Sequence, residues 1–212
     1  VNLGQLEEAE ALITSQLAEH PQDYKLICVM GDVKRRNWEY LLARREKGDP
    51  EVTAAFELTE SLYNQAWDLS GKRLAKAQRN LGALYYVTGD YRRVIEALNT
   101  AVAVNPLFES SWHLIGFSHL QLKEYEPALR AFTRVISLNQ DSPDAWKHMA
   151  HCHVQLGRLE DAYRALIQLT RLSFNETDSW LSLFSISMSI GEPRDAIKSV
   201  RRYVEILSID GA

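Results

Sequence analysis

The chain of 212 residues has two cysteines, Cys28 and Cys152, far too few for a disulfide framework, and they are not expected to pair. That scarcity fits a reducing compartment, so a cytoplasmic or nuclear location is expected. No apolar run approaches the roughly 18 residues that span a bilayer, and no secretory leader is visible; contact with membrane is not expected. Charge of one sign is also lacking. Lys and Arg number 24 against 28 Asp and Glu, a formal net of −4, which offers no global attraction for nucleic acid or anionic lipid. Signatures of catalysis are missing: there is no Gly-rich phosphate loop, no metallopeptidase helix and no nucleophile elbow. Ser110 and Ser111 stand beside His113 without any reason to be activated. Neither catalysis nor a cofactor is expected. An initiator methionine is absent too, and Val1-Asn2-Leu3-Gly4 reads as cut from something longer.

What the chain does have is a period. Trp112, Trp146 and Trp180 recur at intervals of 34 residues. Each opens one pattern: Trp112-x-x-Ile115-Gly116-x-x-His119, Trp146-x-x-Met149-Ala150-x-x-His153 and Trp180-x-x-Leu183-Phe184-x-x-Ser187. One step earlier the register reads Gln78-x-x-Leu81-Gly82-x-x-Tyr85. Downstream, Val94, Ala128, Ala162 and Ala196 keep step, as do Leu98, Phe132, Leu166 and Val200. Asn and Asp between the segments cap helices, and Pro blocks their continuation. With apolar residues at 46%, there is enough material for a core shared between successive units.

This spacing resembles the tetratricopeptide repeat, a helix–turn–helix renewed every 34 residues. The resemblance implies an all-α, right-handed superhelical solenoid that binds proteins. The expected organisation is the second helix of a truncated repeat at 1–21 and an irregular repeat at 22–73, followed by regular repeats at 75–108, 109–142, 143–176 and 177–210. In the irregular repeat about 16 residues are added. Trp38, Leu41 and Leu42 continue the apolar stripe of Ile27 and Gly31 at helical spacing, and Gly48, Asp49 and Pro50 read as stop, N-cap and first helical residue. The first helix is therefore expected to run to about 47 and the second to start near 51, making a helical finger about two turns beyond the array. Lys34, Arg35, Arg36, Arg44, Arg45 and Lys47 at its tip outnumber Glu39, Glu46 and Asp49. It reads either as a solvated hairpin or as a second docking surface (Arg35, Arg36, Trp38, Tyr40, Arg44, Arg45), with Trp38 and Tyr40 as anchors for an acidic partner.

In such solenoids the first helices line the concave groove, where an extended peptide or partner helix lies. Inward positions give a candidate groove of Lys76, Arg79, Tyr86, His113, Phe117, Lys147, His151 and Gln155. Its first half is basic and aromatic, its far half small, apolar and mildly acidic with Asp144 and Asp178. That suits a client segment with an acidic end and an apolar anchor. Repeat proteins that clamp the C-terminal Glu-Glu-Val-Asp of large chaperones need converging Lys, Asn and Arg at set places. Here those places hold Arg79, Ala83, Leu114, Asp144 and His148, or, one repeat on, His113, Phe117, His148, Asp178 and Ser182, so a direct clamp is not expected. The density of His148, His151, Cys152 and His153 reads as packing and groove lining, not as metal ligation.

One stretch is more particular. Tyr63-x-x-Ala66-Trp67-Asp68-Leu69-Ser70, then Arg73-x-Ala75-x-Ala77-Gln78-Arg79, resembles the tetratricopeptide repeat protein 27 family. So do Ala9-Glu10, Ile13, Tyr24 and Leu26-x-x-x-Met30-Gly31-Asp32-Val33. The blocks keep the family's order; the insertion at roughly 34–49 departs from it. The resemblance implies a non-enzymatic, intracellular eukaryotic factor linked to chaperone-assisted assembly of protein complexes. Two other readings are a non-catalytic arm of a larger enzyme and a self-association module.

Overall fold

The structure, a computed structural model, describes residues 3–46 and 48–210, and every secondary-structure element among them is a helix. Five helices fall in a compact unit that runs to Pro106: α1 (Leu3–Glu19), α2 (Tyr24–Leu42), α3 (Pro50–Leu69), α4 (Ala75–Thr88) and α5 (Tyr91–Val104). Six fall in a second unit that starts at Leu107: α6 (Glu109–Gln121), α7 (Tyr125–Leu138), α8 (Pro143–Gln155), α9 (Leu159–Leu172), α10 (Thr177–Ile190) and α11 (Pro193–Asp210). Consecutive helices pack as hairpins, α2 on α3, α4 on α5, α6 on α7, α8 on α9 and α10 on α11. Within each unit the hairpins stack, through α3 on α4 in the first, and through α7 on α8 and α9 on α10 in the second. The starts of α4, α6, α8 and α10 keep the 34-residue interval of the sequence.

Local chemistry sets the helix ends. Asp23 accepts hydrogen bonds from the N–H groups of Lys25 (2.8 Å) and Leu26 (3.2 Å), capping α2; Asp49 accepts from Glu51 N–H (2.8 Å), and Pro50 opens α3. α4 closes on Gly89 at φ 81°. Hairpin cores form because small residues let bulky ones in. A Cβ on Gly82 would lie 2.4 Å from Leu98 Cδ2, so α4 and α5 approach closely only with glycine there. Leu81, Leu84, Val94 and Leu98 are fully buried beside it, and Phe132 and Val135 fill the same role under α6 and α8.

The elongated hairpin is present, but one arm is shorter than the sequence predicts. α2 has 19 residues and α3 has 20, against 13 or 14 in each of α4 to α10. α2 stops at Leu42 and not near 47; the N–H groups of Arg44 and Arg45 both turn back to Leu41 O at 3.0 Å. The apolar stripe ends at Leu42, and beyond it a helix would gain no packing to offset its ordering entropy. The surplus is about six residues, roughly a turn and a half instead of two turns. Lys47, placed at the tip by the sequence, lies outside the described residues.

Candidate functional site

On α4, Lys76, Arg79 and Tyr86 follow one face. The Lys76 ammonium pairs with Asp32 Oδ2 at 2.8 Å; the same carboxylate accepts from Asn80 Nδ2 (2.6 Å) and the Tyr63 hydroxyl (2.9 Å), tying α2, α3 and α4 together. Part of the basic character read along this helix is thus neutralised from within. Arg79 is half-buried, and Tyr86 is exposed with its ring edge-on to Tyr91 at 6.4 Å.

In the second unit, His113 and Phe117 of α6 belong to a cluster of rings. His148 of α8 stacks on Phe132 at 5.1 Å, with Phe117 at 5.9 Å and His113 at 5.6 Å. Burial, helped by the neighbouring His113, pushes the His148 imidazole down from its ordinary 6.5 to about 4. His113 is half-buried, with its Nε2 shielded from solvent and without a hydrogen-bond partner. Among the described residues no group of three His, Cys, Asp or Glu stands close enough to hold a metal ion.

The feature with the geometry of a binding site lies between α8 and α10. Ala150, Leu166 and Leu169 floor a trough of about 450 Å³, and Val154, Leu181 and Ile186 line its walls. Val154 and Leu181 are exposed at 38% and 45%, which leaves apolar surface at the lip uncovered. Lys147 and His151 of α8 line one side; Asp178, Ser182 and Ser185 of α10 line the other. Lys147 Nζ pairs with Glu176 Oε1 at 2.5 Å. Two of the predicted residues, Lys147 and His151, are brought together here; Gln155 is exposed but does not line the trough. The floor, supplied partly by α9, was missed: Leu166 entered the sequence reading only as a position that keeps the repeat, and Leu169 was not singled out.

At the elongated hairpin, Glu39 accepts from both Arg35 (2.9 Å) and Arg36 (3.2 Å), Arg45 pairs with Asp49 and Glu51, and the Arg44 guanidinium lies 3.7 Å over the Tyr40 ring. Trp38 corrects an expectation. It is 1% exposed and packs at 5.6 Å from Phe56, so it is core of the hairpin and not a projecting anchor. Its position on the apolar stripe of α2 turns it towards α3.

The tryptophan period has a second use. Trp146 Nε1 donates to Gln140 O at 2.9 Å, and Trp180 Nε1 donates to Phe174 O at 2.8 Å, so each indole pins the loop that precedes its own helix.

The repeated hairpin, the small residue that faces a bulky one in most of them and the indole–loop bonds define the class of fold, a tetratricopeptide-repeat array of paired helices. A family model described as tetratricopeptide repeat matches residues 119–183. A TPR repeat-containing protein of Schizosaccharomyces pombe is 28% identical over 125 residues, 59% of this chain and 12% of that protein. The tetratricopeptide repeat protein 27 homolog of Dictyostelium discoideum is 29% identical over 122 residues, 58% of this chain and 12% of its own length, in line with the resemblance to that family. The chain thus spans about an eighth of the length of these relatives. Among solved structures, YrrB, a TPR protein with an unusual peptide-binding site, shares the fold at a TM-score of 0.71 and 16% identity, over 92% of this chain and 91% of that one. No helix among the described residues is long and apolar enough to cross a membrane.

Proposed function

We propose that this array is a non-catalytic scaffold that holds a segment of a client protein, and that the trough between α8 and α10 is its principal seat. The observation that carries the reading is about 450 Å³ of space floored by Ala150, Leu166 and Leu169 with uncovered Val154 and Leu181 at the lip. Apolar side chains of a client gain there what they lose in ordering. YrrB, a repeat protein with a peptide-binding site, supports the reading by likeness of fold alone. On the first unit, the face of α4 with Arg79 beside Tyr86 suits carboxylates of an acidic client end, which would compete with Asp32 for Lys76. The role in chaperone-assisted complex assembly implied by the repeat protein 27 resemblance belongs to this proposal, without a direct clamp on chaperone tails. So does a cytoplasmic or nuclear setting, where the buried thiols of Cys28 and Cys152, pushed up to about 11 and about 12, stay reduced.

Affinity purification with mass spectrometry tests the seat. The pair Val154→Glu and Leu181→Glu, both at exposed positions, is expected to lose clients that the unaltered protein retains while helicity by circular dichroism is unchanged. Retention of the same clients by the variant refutes the trough.

A second reading, self-association, is favoured by one observation. Ile197, Val200, Val204 and Leu207 form an exposed stripe along α11, at 58%, 37%, 57% and 48%. Sedimentation mass that rises with concentration, and falls back in the pair Ile197→Glu and Val204→Glu, is the outcome it requires.

A further inference from the structure

Charge at the rim of the trough has a sign opposite to the one read along the first half of the groove. Lys147 is the cation that lines the trough, and Glu176 already answers it at 2.5 Å. Asp178 lines the facing wall, and Asp144 stands one turn before Lys147 on α8. Both are exposed, and among the described residues neither carboxylate makes a hydrogen bond or an ion pair. Glu176 most of all, and Asp178 and Asp144 after it, raise the Lys147 ammonium above its ordinary range. The balance at that end of the trough is three carboxylates to one ammonium. His151 is exposed on the same wall. Asp144 and Asp178 are each the second residue of a helix, where the helix dipole favours an acid. The dipole explains why each tolerates a charge. It gives neither carboxylate a hydrogen-bond or ion-pair partner beside the uncovered apolar trough.

We infer that the trough selects a client segment in which a large aliphatic side chain, seated on Leu166 and Leu169, lies next to lysine or arginine that reaches Asp178 and Asp144. The inference rests on the trough being the seat of the client. An acidic segment meets two unpaired carboxylates there and gains only a lysine that is already occupied.

Two fluorescein-labelled synthetic peptides with one shared leucine-containing core, flanked by lysines in one and by glutamates in the other, decide it by anisotropy with the 212-residue chain. The lysine peptide is expected to bind about tenfold more tightly at low salt, the scale of two exposed ion pairs. Asp144→Asn with Asp178→Asn should bring the two peptides to parity, and Lys147→Ala, by freeing Glu176, should widen the gap. Circular dichroism melts check that the variants stay folded. Tighter binding of the glutamate peptide, or a preference that survives the double Asn variant, overturns the charge selection and leaves the seat standing. Binding of both peptides that Leu181→Ser does not weaken places them elsewhere and overturns seat and selection together. A doubling of mass by the chain alone, reversed by the lysine peptide, replaces the client with a second copy of this chain and overturns the inference.

Discussion

Lys123 sits where Gly89, Gly157 and Gly191 sit in the neighbouring hairpins, and it adopts the same left-handed backbone, φ 59° against 72° to 81°. A side chain in that region costs about 1 kcal/mol, and glycine avoids it. Lys123→Gly is therefore expected to stabilise the second unit by about 0.5–1 kcal/mol, seen as a rise of roughly 2–3 °C in thermal unfolding. The turn at Lys123 was legible because the 34-residue period places it there. The strain was not, since nothing in the residue itself announces φ. His148 makes a similar point. Its place on α8 was legible, but its stack on Phe132 needs three helices in position. An imidazole whose folded pKa lies near 4 and whose unfolded value is 6.5 stays neutral in the folded chain while the unfolded chain takes up a proton. Its contribution is thus complete above about pH 6.5 and is lost as pH falls towards 4. His148→Phe should flatten that acid limb in urea titrations taken at a series of pH values, with Asp144, His151, Lys147 and His113 left as the nearby charges.

At the scale of elements, the hairpins were readable because one constraint repeats in all but the last, where Phe184 stands at the small position: a small residue on the first helix faces a bulky one on the second. Gly82 and Leu98 are the sharpest case. Gly82→Ala must push Leu98 aside or part α4 from α5, and a loss of about 1–3 kcal/mol in denaturant unfolding is expected. The elongated hairpin was readable in kind and misread in length. Leu41 and Leu42 carry the apolar stripe, so the extension of α2 follows from them. The segment Ala43 to Glu46 is rich in helix formers and still leaves the helix, because Arg44 turns back onto Tyr40 and nothing remains to pack against. The same limit explains Trp38. Amphipathic spacing says that it shares a face with Leu42 and Ile27; only the position of α3 decides that this face is covered.

For the whole molecule, stability in a repeat array is distributed among neighbours and not held in one core. The two thiols report on this separately, Cys28 in the first unit and Cys152 in the second, each at most 2% exposed and held protonated by burial. A disulfide exchange reagent is expected to leave both unmodified in native buffer and to modify each as its own unit opens; peptide mapping across a urea series assigns the order. The candidate site was legible only in outline. Position within the repeat put Lys147, His151 and Asp178 on facing helices, whereas the depth of the trough depends on α9 and on how far apart α8 and α10 stand.

The uncovered lip at Val154 and Leu181 and the bare carboxylates at Asp144 and Asp178 divide the labour in time. In cellular ionic strength, fields from exposed groups fade within about 8 Å. On the inferred charge selection, the two acids speed the arrival of a cationic client segment and sort it from others, while the oily floor sets how long it lingers. Residence ought then to change little across physiological salt even where capture slows.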